Sequence, residues 1–272
     1  MLLWVCAGCN LHNPAEPVPA YLQLKAPLVF SGTDTLLIDT VSENITNTWL
    51  YVDGTPLGVF NRTATVPVIG EGQKSIVCLP GVMENGVAAY RVIYPFYRAD
   101  TVAATLTPNG DVTVNPRYRY FSGVEIPMNE DFEIGSLFEP TVNSTALLDT
   151  VSGSNGFQGS SGKITLADTS AVFEYRTIDS YPLSADDGSI YLEMNYKTDA
   201  TIQVGLFQES SGSTYFGWNL NPKDQWNKVY FNLMDAVTSS GGGNYKIVLR
   251  AEKPAGVSVA NVFLDNVKLV HF

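Results

Sequence analysis

The chain has 272 residues, 45% of them apolar and 16% charged, which is enough to bury sizeable cores and too apolar for a disordered chain. Its net charge of −11 argues against a basic surface for nucleic acid or anionic lipid. No apolar run approaches the roughly 18 residues that a membrane-spanning helix needs.

The first residues are Met1-Leu2-Leu3-Trp4-Val5-Cys6-Ala7-Gly8-Cys9. Two small residues before a cysteine suit a peptidase with a narrow cleavage site, and an apolar run ending in Ala-Gly-Cys resembles a bacterial lipoprotein signal. The resemblance implies that residues 1–8 are removed and that Cys9 carries a covalent lipid anchoring the protein in the outer membrane. A cytosolic protein with a chance Ala-Gly-Cys is the other reading. Residues 9–20 then form the lipidated cysteine and a tether, which Pro14, Pro17 and Pro19 make extended and semi-rigid. Glu16 alone follows the cysteine as an acidic residue, so the periplasmic or cell-surface side stays open.

Residues 21–117 read as a small β domain. Trp49-Leu50-Tyr51-Val52 is followed by the hairpin turn Asp53-Gly54 and a second β-rich run to Phe60. Thr65–Ile69, Ser75–Leu79, Val87–Tyr97, Val102–Leu106 and Val112–Val114 continue the pattern between Gly- and Asn-containing turns. Closely spaced strands without an amphipathic helix predict a sandwich. The stretch from Trp49 to Ile76 resembles PEGA-type and related immunoglobulin-like modules of bacterial surface proteins. That resemblance implies a spacer or interaction domain. Cys78, between Val77 and Leu79, reads as a small buried apolar residue.

Residues 118–128 read as a linker whose Tyr118, Tyr120 and Phe121 are expected to pack between domains. Residues 129–272 again read as all-β. Strands are predicted at 171–177, 189–196, 201–207, 214–220, 228–233, 245–251 and 262–270, with Gly- and Ser-rich loops at 152–162 and 239–243 and a helical turn at 233–237. The fold class expected is therefore all-β, with a small immunoglobulin-like sandwich followed by a jelly roll.

The second domain opens with Glu130-Asp131-Phe132-Glu133, carries Trp226 at the head of the strand to Leu233, and closes with Leu264-Asp265-Asn266-Val267. These elements resemble the galactose-binding-like jelly rolls of many carbohydrate-binding modules. The resemblance implies a structural calcium near the first and last strands, with Glu130, Asp131, Glu133 and Asp265 as matching positions. The plainer reading makes the first two solvated turn residues and Asp265 a cap on a backbone amide.

The resemblance also implies glycan binding. Sugar rings present C–H faces edged by hydroxyls, so aromatic platforms beside amides are the chemistry to look for. Tyr196, Tyr215, Trp218 and Asn219 are the residues singled out. Strict alternation through 214–220 puts Phe216, Trp218 and Leu220 on one face and Tyr215, Gly217 and Asn219 on the other. On that reading Tyr215 and Asn219 point outward together, and Trp218 is either platform or core.

No Gly-x-Ser-x-Gly, P-loop or dinucleotide fingerprint is visible, and His12 and His271 lie near the termini. A carboxylate pair such as Glu193 with Glu174 is the nearest approach to a glycosidase. Alternation places Glu193 with Tyr191 and Asn195 on what reads as a solvated sheet face. Asp-Thr-apolar triplets begin at Asp34, Asp39, Asp100 and Asp149 and resemble the O-glycosylation motif of Bacteroidota envelope proteins. The function expected is non-catalytic binding, with a glycan as ligand. The alternative is an accessory subunit of an outer-membrane secretion, import or assembly complex, with an outer-membrane protein as partner.

Overall fold

A computed structural model describes residues 16–31, 39–40 and 42–272. Cys9, the segment 1–8, most of the tether and the triplet at Asp34 lie outside the described residues. Within them the chain is all-β, built as two β-sandwiches in succession, with one short α-helix at Met234–Ser239.

In the first sandwich, Asn47–Val52 and Thr55–Asn61 form a hairpin across Asp53 and Gly54, both with positive φ. That geometry is what the Asp-Gly dipeptide supplies at least cost. Gly72–Met83 pairs with Asn47–Val52 on one side and with Asp100–Leu106 and Arg91–Ile93 on the other. Across the core, Ala20–Leu24 lies antiparallel to Ala64–Val68 and parallel to Asp111–Val114. Leu28–Ser31 likewise runs parallel to Arg117–Arg119. The ends of the domain therefore lie side by side. Leu22, Ile45, Leu50, Ile76 and Cys78 fill the interior, and burial pushes the Cys78 thiol up to about 12. At that value it is unreactive, as its apolar flanks predict.

The second sandwich has two sheets. In the first, Leu148–Ser152, Ser160–Ala167, Val259–His271, Ile190–Thr198 and Lys223–Asn232 lie in that order, and Glu125–Glu130 also pairs with Val259–His271. The second sheet runs Phe138–Pro140, Val172–Thr177, Gly243–Glu252, Ile202–Gln208, Ser213–Leu220, with Tyr181–Leu183 also on Gly243–Glu252. Leu166, Phe173, Leu192, Met194, Val204, Leu249, Leu264 and Leu269 pack between them.

Two strands stand where polar composition predicts a loop or linker. Ser160–Ala167 is a central strand, because Gly162 lets the Phe132 ring lie against the backbone; a Cβ there would sit 2.8 Å from that ring. Glu125–Glu130 is an edge strand, where exposed polar side chains carry no penalty. Of the expected linker aromatics, Tyr118 lies in the first core, Tyr120 reaches the second domain, and Phe121 stays half exposed near Phe272.

The two sandwiches meet on the outer face of the sheet carrying Ile190–Thr198. Contrary to the sequence reading, Tyr191, Glu193 and Asn195 are not solvated; all three are buried under the first domain. Alternation identified their shared face correctly, but it cannot say whether solvent or another domain covers a polar face. Glu193 Oε1 accepts from the hydroxyls of Tyr94 at 2.5 Å and Tyr120 at 2.7 Å, and Oε2 faces Lys228 Nζ at 2.5 Å. Lys228 Nζ also donates to the carbonyl of Ser42 at 2.9 Å. Tyr94 packs edge-on to Tyr191 at 5.5 Å and lies 4.8 Å from Tyr230. Around this centre Tyr191 donates to Glu84, Asn44 Nδ2 to the Lys228 carbonyl, and the Asn85 amide to the Tyr230 carbonyl.

Burial pushes the Glu193 carboxyl up, but the charges of Lys228 and Lys268 and the bonds from Lys228 and Tyr94 outweigh it, holding it below the usual range. A depressed carboxylate stabilises the fold above its unfolded value, and that contribution is lost as pH falls through the folded value. Glu193→Gln is expected to cost roughly 3–5 kcal/mol at pH 7, because Lys228 is left buried without a countercharge. Urea unfolding from pH 7 to pH 3 checks both points: the penalty should shrink below about pH 4.3, the ordinary glutamate value. A penalty under about 1 kcal/mol would mean that the pair contributes no more than an exposed one.

Candidate ligand-binding site

With part of one outer face of the second sandwich covered, three of the four residues singled out for ligand binding, Tyr215, Trp218 and Asn219, fall on the other sheet. Ile202–Gln208 and Ser213–Leu220 form a hairpin closed by Gly212, whose φ is +64° and whose amide bonds the Gln208 carbonyl at 2.9 Å. The register is not uniform. Val204 stands opposite Trp218, but Gly205 stands opposite Phe216, so Gly217 is an extra residue in the strand.

That bulge overturns the alternation expected for 214–220. Tyr215 lies opposite the buried Leu206 and shares the inward side with Trp218 and Leu220, while Phe216 and Asn219 lie opposite Gly205 and Gln203 on the outer side. The Tyr215 ring folds back over Gly217, where a Cβ would come within 2.6 Å of it. Tyr215 and Asn219 are therefore not an outward pair. Asn219 is exposed beside Gln203, away from Tyr215.

Tyr215 remains 60% exposed because the sheet ends beside it. It forms one wall of a cleft of about 330 Å³. Helix Met234–Ser239 forms the opposite wall, anchored by buried Val237 and started by Asn232 Oδ1, which accepts from the Met234 amide at 3.0 Å. The chain leaves the helix through Gly241, Gly242 and Gly243, all at positive φ, which turn it back into the sheet. Gln208 Nε2 ties the walls together by donating to the carbonyls of Ser240 at 3.0 Å and Gly242 at 2.9 Å. On the floor, the Tyr245 and Ser240 hydroxyls lie 2.7 Å apart. Ser211, Ser213, Thr214 and Ser239 add hydroxyls, and Leu206 and Ala236 add apolar surface. The lining holds no Asp, Glu, His, Lys or Arg. Such a cleft can stack one apolar ring face and exchange hydrogen bonds with neutral hydroxyls.

Trp218 is half buried behind Tyr215, 6.1 Å from it and 6.1 Å from Phe231, and packs on the core. Tyr196 corrects the sequence expectation: it is buried among the residues between the sheets and presents no ring face to a ligand. Sequence reasoning did not single out Gln208, Ser240 or Tyr245, since their roles depend on a contact between hairpin and helix. The signals nearest to them were the Gly-rich run 241–243 and the helical turn at 233–237.

Glu193 and Glu174 do not form a catalytic pair. Glu193 lies under the first domain, whereas Glu174 lies on the other sheet, accepting from Thr141 Oγ1 and Asn143 Nδ2 at 2.7 Å each and from Arg250.

The four carboxylates matched to a calcium site are engaged locally. Glu130 accepts from the amides of Phe132 at 2.8 Å and Leu137, and Asp131 from Glu133 at 3.2 Å. Glu133 and Asp265 reach the same loop: Glu133 accepts from the Ser160 amide at 2.6 Å, and Asp265 from Ser161 Oγ at 2.7 Å. Among the described residues no three His, Cys, Asp or Glu side chains gather around one point. Glu133 and Asp265 alone of the four meet at one loop, each accepting from a donor there, whereas calcium takes six to eight oxygen ligands.

No protein-family model matches the chain, and no curated protein matches it. Among solved structures, it is similar to a mutant of a family 29 carbohydrate-binding module at 9% identity and a TM-score of 0.38, over 56% of this chain and 92% of that one. A second mutant of that module, complexed with cellulohexaose, matches at 11% identity and 0.38 over the same shares. An exo-β-agarase matches at 14% identity and 0.37, over 52% of this chain and 25% of the agarase.

Burial, offset only in part by its hydrogen bonds, raises the Asp265 carboxyl to about 6. A raised acid binds its proton more tightly in the folded state, so its contribution to stability falls as pH rises from about 4 to about 6 and is flat above. Asp265→Asn removes this titration. The unfolding free energy of the variant, relative to the parent, should therefore climb over that window by up to about 3 kcal/mol, at 1.36 kcal/mol per unit. The melting temperature should not change with EDTA or millimolar calcium. A chelator-sensitive melt that Asp265→Asn abolishes would instead establish a bound cation.

Proposed function

We propose that the second sandwich is a non-catalytic binding module whose Tyr215 cleft takes a neutral sugar unit of a glycan. The observation that carries this reading is the exposed Tyr215 ring facing a cleft rich in hydroxyls and free of charged side chains. An aromatic face gains from the C–H side of a pyranose. Serine, threonine and tyrosine hydroxyls both donate and accept, matching sugar hydroxyls without a charge to desolvate. Gln208 holds the helix and hairpin walls in register, so the cleft is preformed and little ordering is needed on binding. Attachment to the outer membrane through a lipid on Cys9 belongs to the same proposal, with the first sandwich as spacer and the glycan met at the cell envelope.

A second reading, docking to an outer-membrane protein, is favoured by one feature. Ile134 and Val142 are fully exposed, and Leu147 largely so, on the loops that flank Phe138–Pro140. Apolar side chains so placed are common in interface cores.

Tyr215→Ala decides between them. Binding to an array of neutral oligosaccharides should weaken by at least about tenfold, or 1.4 kcal/mol, with the melting temperature unchanged because the ring is mostly exposed. Trp218→Ala should instead lower the melting temperature by several degrees, since it removes a core contact at a cost of about 3 kcal/mol or more. If no neutral glycan is retained by the parent protein, or if Tyr215→Ala binds as well as the parent, the cleft is not the sugar site.

A further inference from the structure

The first domain covers only part of the outer face of the sheet it sits on. Glu193, Asn195, Lys228 and Tyr230 lie beneath it, but two residues further along the same strand face lies Lys197, paired across to Phe263, which is paired in turn to Lys163. Beside Lys197 stands Trp226, and against Trp226 lies Phe157 from the loop after Leu148–Ser152. The three rings are partly buried and form a row, with centroids 5.2 Å apart from Phe157 to Trp226 and 6.3 Å from Trp226 to Phe263. These steps are comparable with the advance of one sugar unit along a chain. The planes tilt by 49° and 62° from one ring to the next, so the row turns as it advances.

Its electrostatics are unusual for an acidic protein. Lys197 Nζ lies 4.4 Å from the Phe263 centroid and 5.6 Å from that of Trp226, and Lys163 Nζ lies 5.9 Å from Phe263. Among the described residues no ion pair joins either lysine, although Asp149 stands across the strand pair from Lys163 and lines a depression with it. Asp199 and Asp224 share a shallow depression with Lys197 and Phe263, and the Asp199 carboxylate is taken by the amide of Asn261 at 2.9 Å. Asp265 is buried under the Phe157 loop, accepting from Ser161 and Gln158. Two ammonium groups thus sit on the ring faces that a sugar would use. A neutral sugar would have to displace them, losing about 0.5–1 kcal/mol for each exposed cation–π contact. A carboxylate draws each ammonium to itself and uncovers the ring, gaining a charge-assisted hydrogen bond.

We infer that Phe157, Trp226 and Phe263, with Lys163 and Lys197, form a second saccharide-binding face, independent of the Tyr215 cleft, that takes a glycan chain bearing carboxylates, such as a uronic-acid polymer. The rings stack on successive sugars, and the lysines pair with carboxylates of the chain. The row lies on one sheet of the sandwich and the Tyr215 cleft on the edge of the other, so the two sites can engage different chains.

Affinity electrophoresis in gels containing polygalacturonate, with methyl-esterified polygalacturonate and a neutral glucan as comparison polymers, tests this inference. The parent protein should be retarded by polygalacturonate and at least about tenfold less by either comparison polymer. Retardation should fall as salt is raised, as expected for partly exposed ion pairs. The double variant Lys163→Gln with Lys197→Gln should lose at least about tenfold in affinity while melting normally. Trp226→Ala should lose binding as well, and if that variant unfolds, the lysine variant still decides. Tyr215→Ala should be retarded like the parent, which separates failure of this site from failure of the cleft. No retardation of the parent, equal retardation by the esterified polymer, or an unaffected lysine variant would each overturn the proposal.

Discussion

The arrangement of this protein depends on a buried carboxylate. Glu193 projects from the middle of a sheet strand into the contact between the two sandwiches, where two phenols and an ammonium meet it. Three of its neighbours, Tyr94, Tyr97 and Tyr120, come from the first domain or the segment leaving it, while Lys228 and Tyr230 come from the second. A charge stripped of water costs several kcal/mol unless its partners stand in fixed positions. The penalty for misplacing it therefore falls on any other relation between the domains. The surrounding aromatic edges meet at 5 to 6 Å, and the bonds from Tyr94 and Tyr120 to Glu193 and from Lys228 to the Ser42 carbonyl fix the register in which the domains meet. Lys268 extends the network: burial, and then repulsion from Lys228, lowers its affinity for a proton, while Glu193 opposes both.

This junction decides which surfaces remain for ligands. Covering Tyr191, Glu193 and Asn195 removes the middle of one sheet from solvent, leaving the far end of that face and the edge of the opposite sheet. Both surfaces carry aromatic rings, but their chemistry differs. The cleft at the edge is lined by hydroxyls and an amide, whereas the far end carries two cations over a row of rings. Neutral and charged hydroxylated ligands would thus be sorted by place on one module rather than by competition at one site.

Much of the fold was legible because hairpin chemistry is local. Asp53-Gly54 predicts its turn from two residues, and the alternating runs from 171 to 270 lie close to the strands observed. What was not legible depends on contacts across the sequence. The strand Ser160–Ala167 was hidden because the demand for a glycine at 162 is made by Phe132, thirty residues earlier. Tyr196 looked like a usable platform by type, yet its position between the sheets is set by strand pairing. Glu193 was placed on the correct face, but the cover over that face is supplied by tyrosines about a hundred residues away.

The displaced alternation at Gly217 is the most instructive of these, because the sequence contained both glycines that permit it. Gly205 accommodates the Phe216 ring, and Gly217 lies beneath the Tyr215 ring; a Cβ at either would come within 3 Å of that side chain. A strand pattern with glycine at a position of mixed neighbours signals a bulge rather than a plain weakness. Once the bulge is present, every residue before it changes side. Tyr215 leaves Asn219 and joins Trp218, so the platform faces the helix instead of the open sheet. A single inserted residue thereby converts an outward aromatic into the wall of a cleft. The helix Met234–Ser239 and the glycine run that ends it complete a site that neither element would form alone.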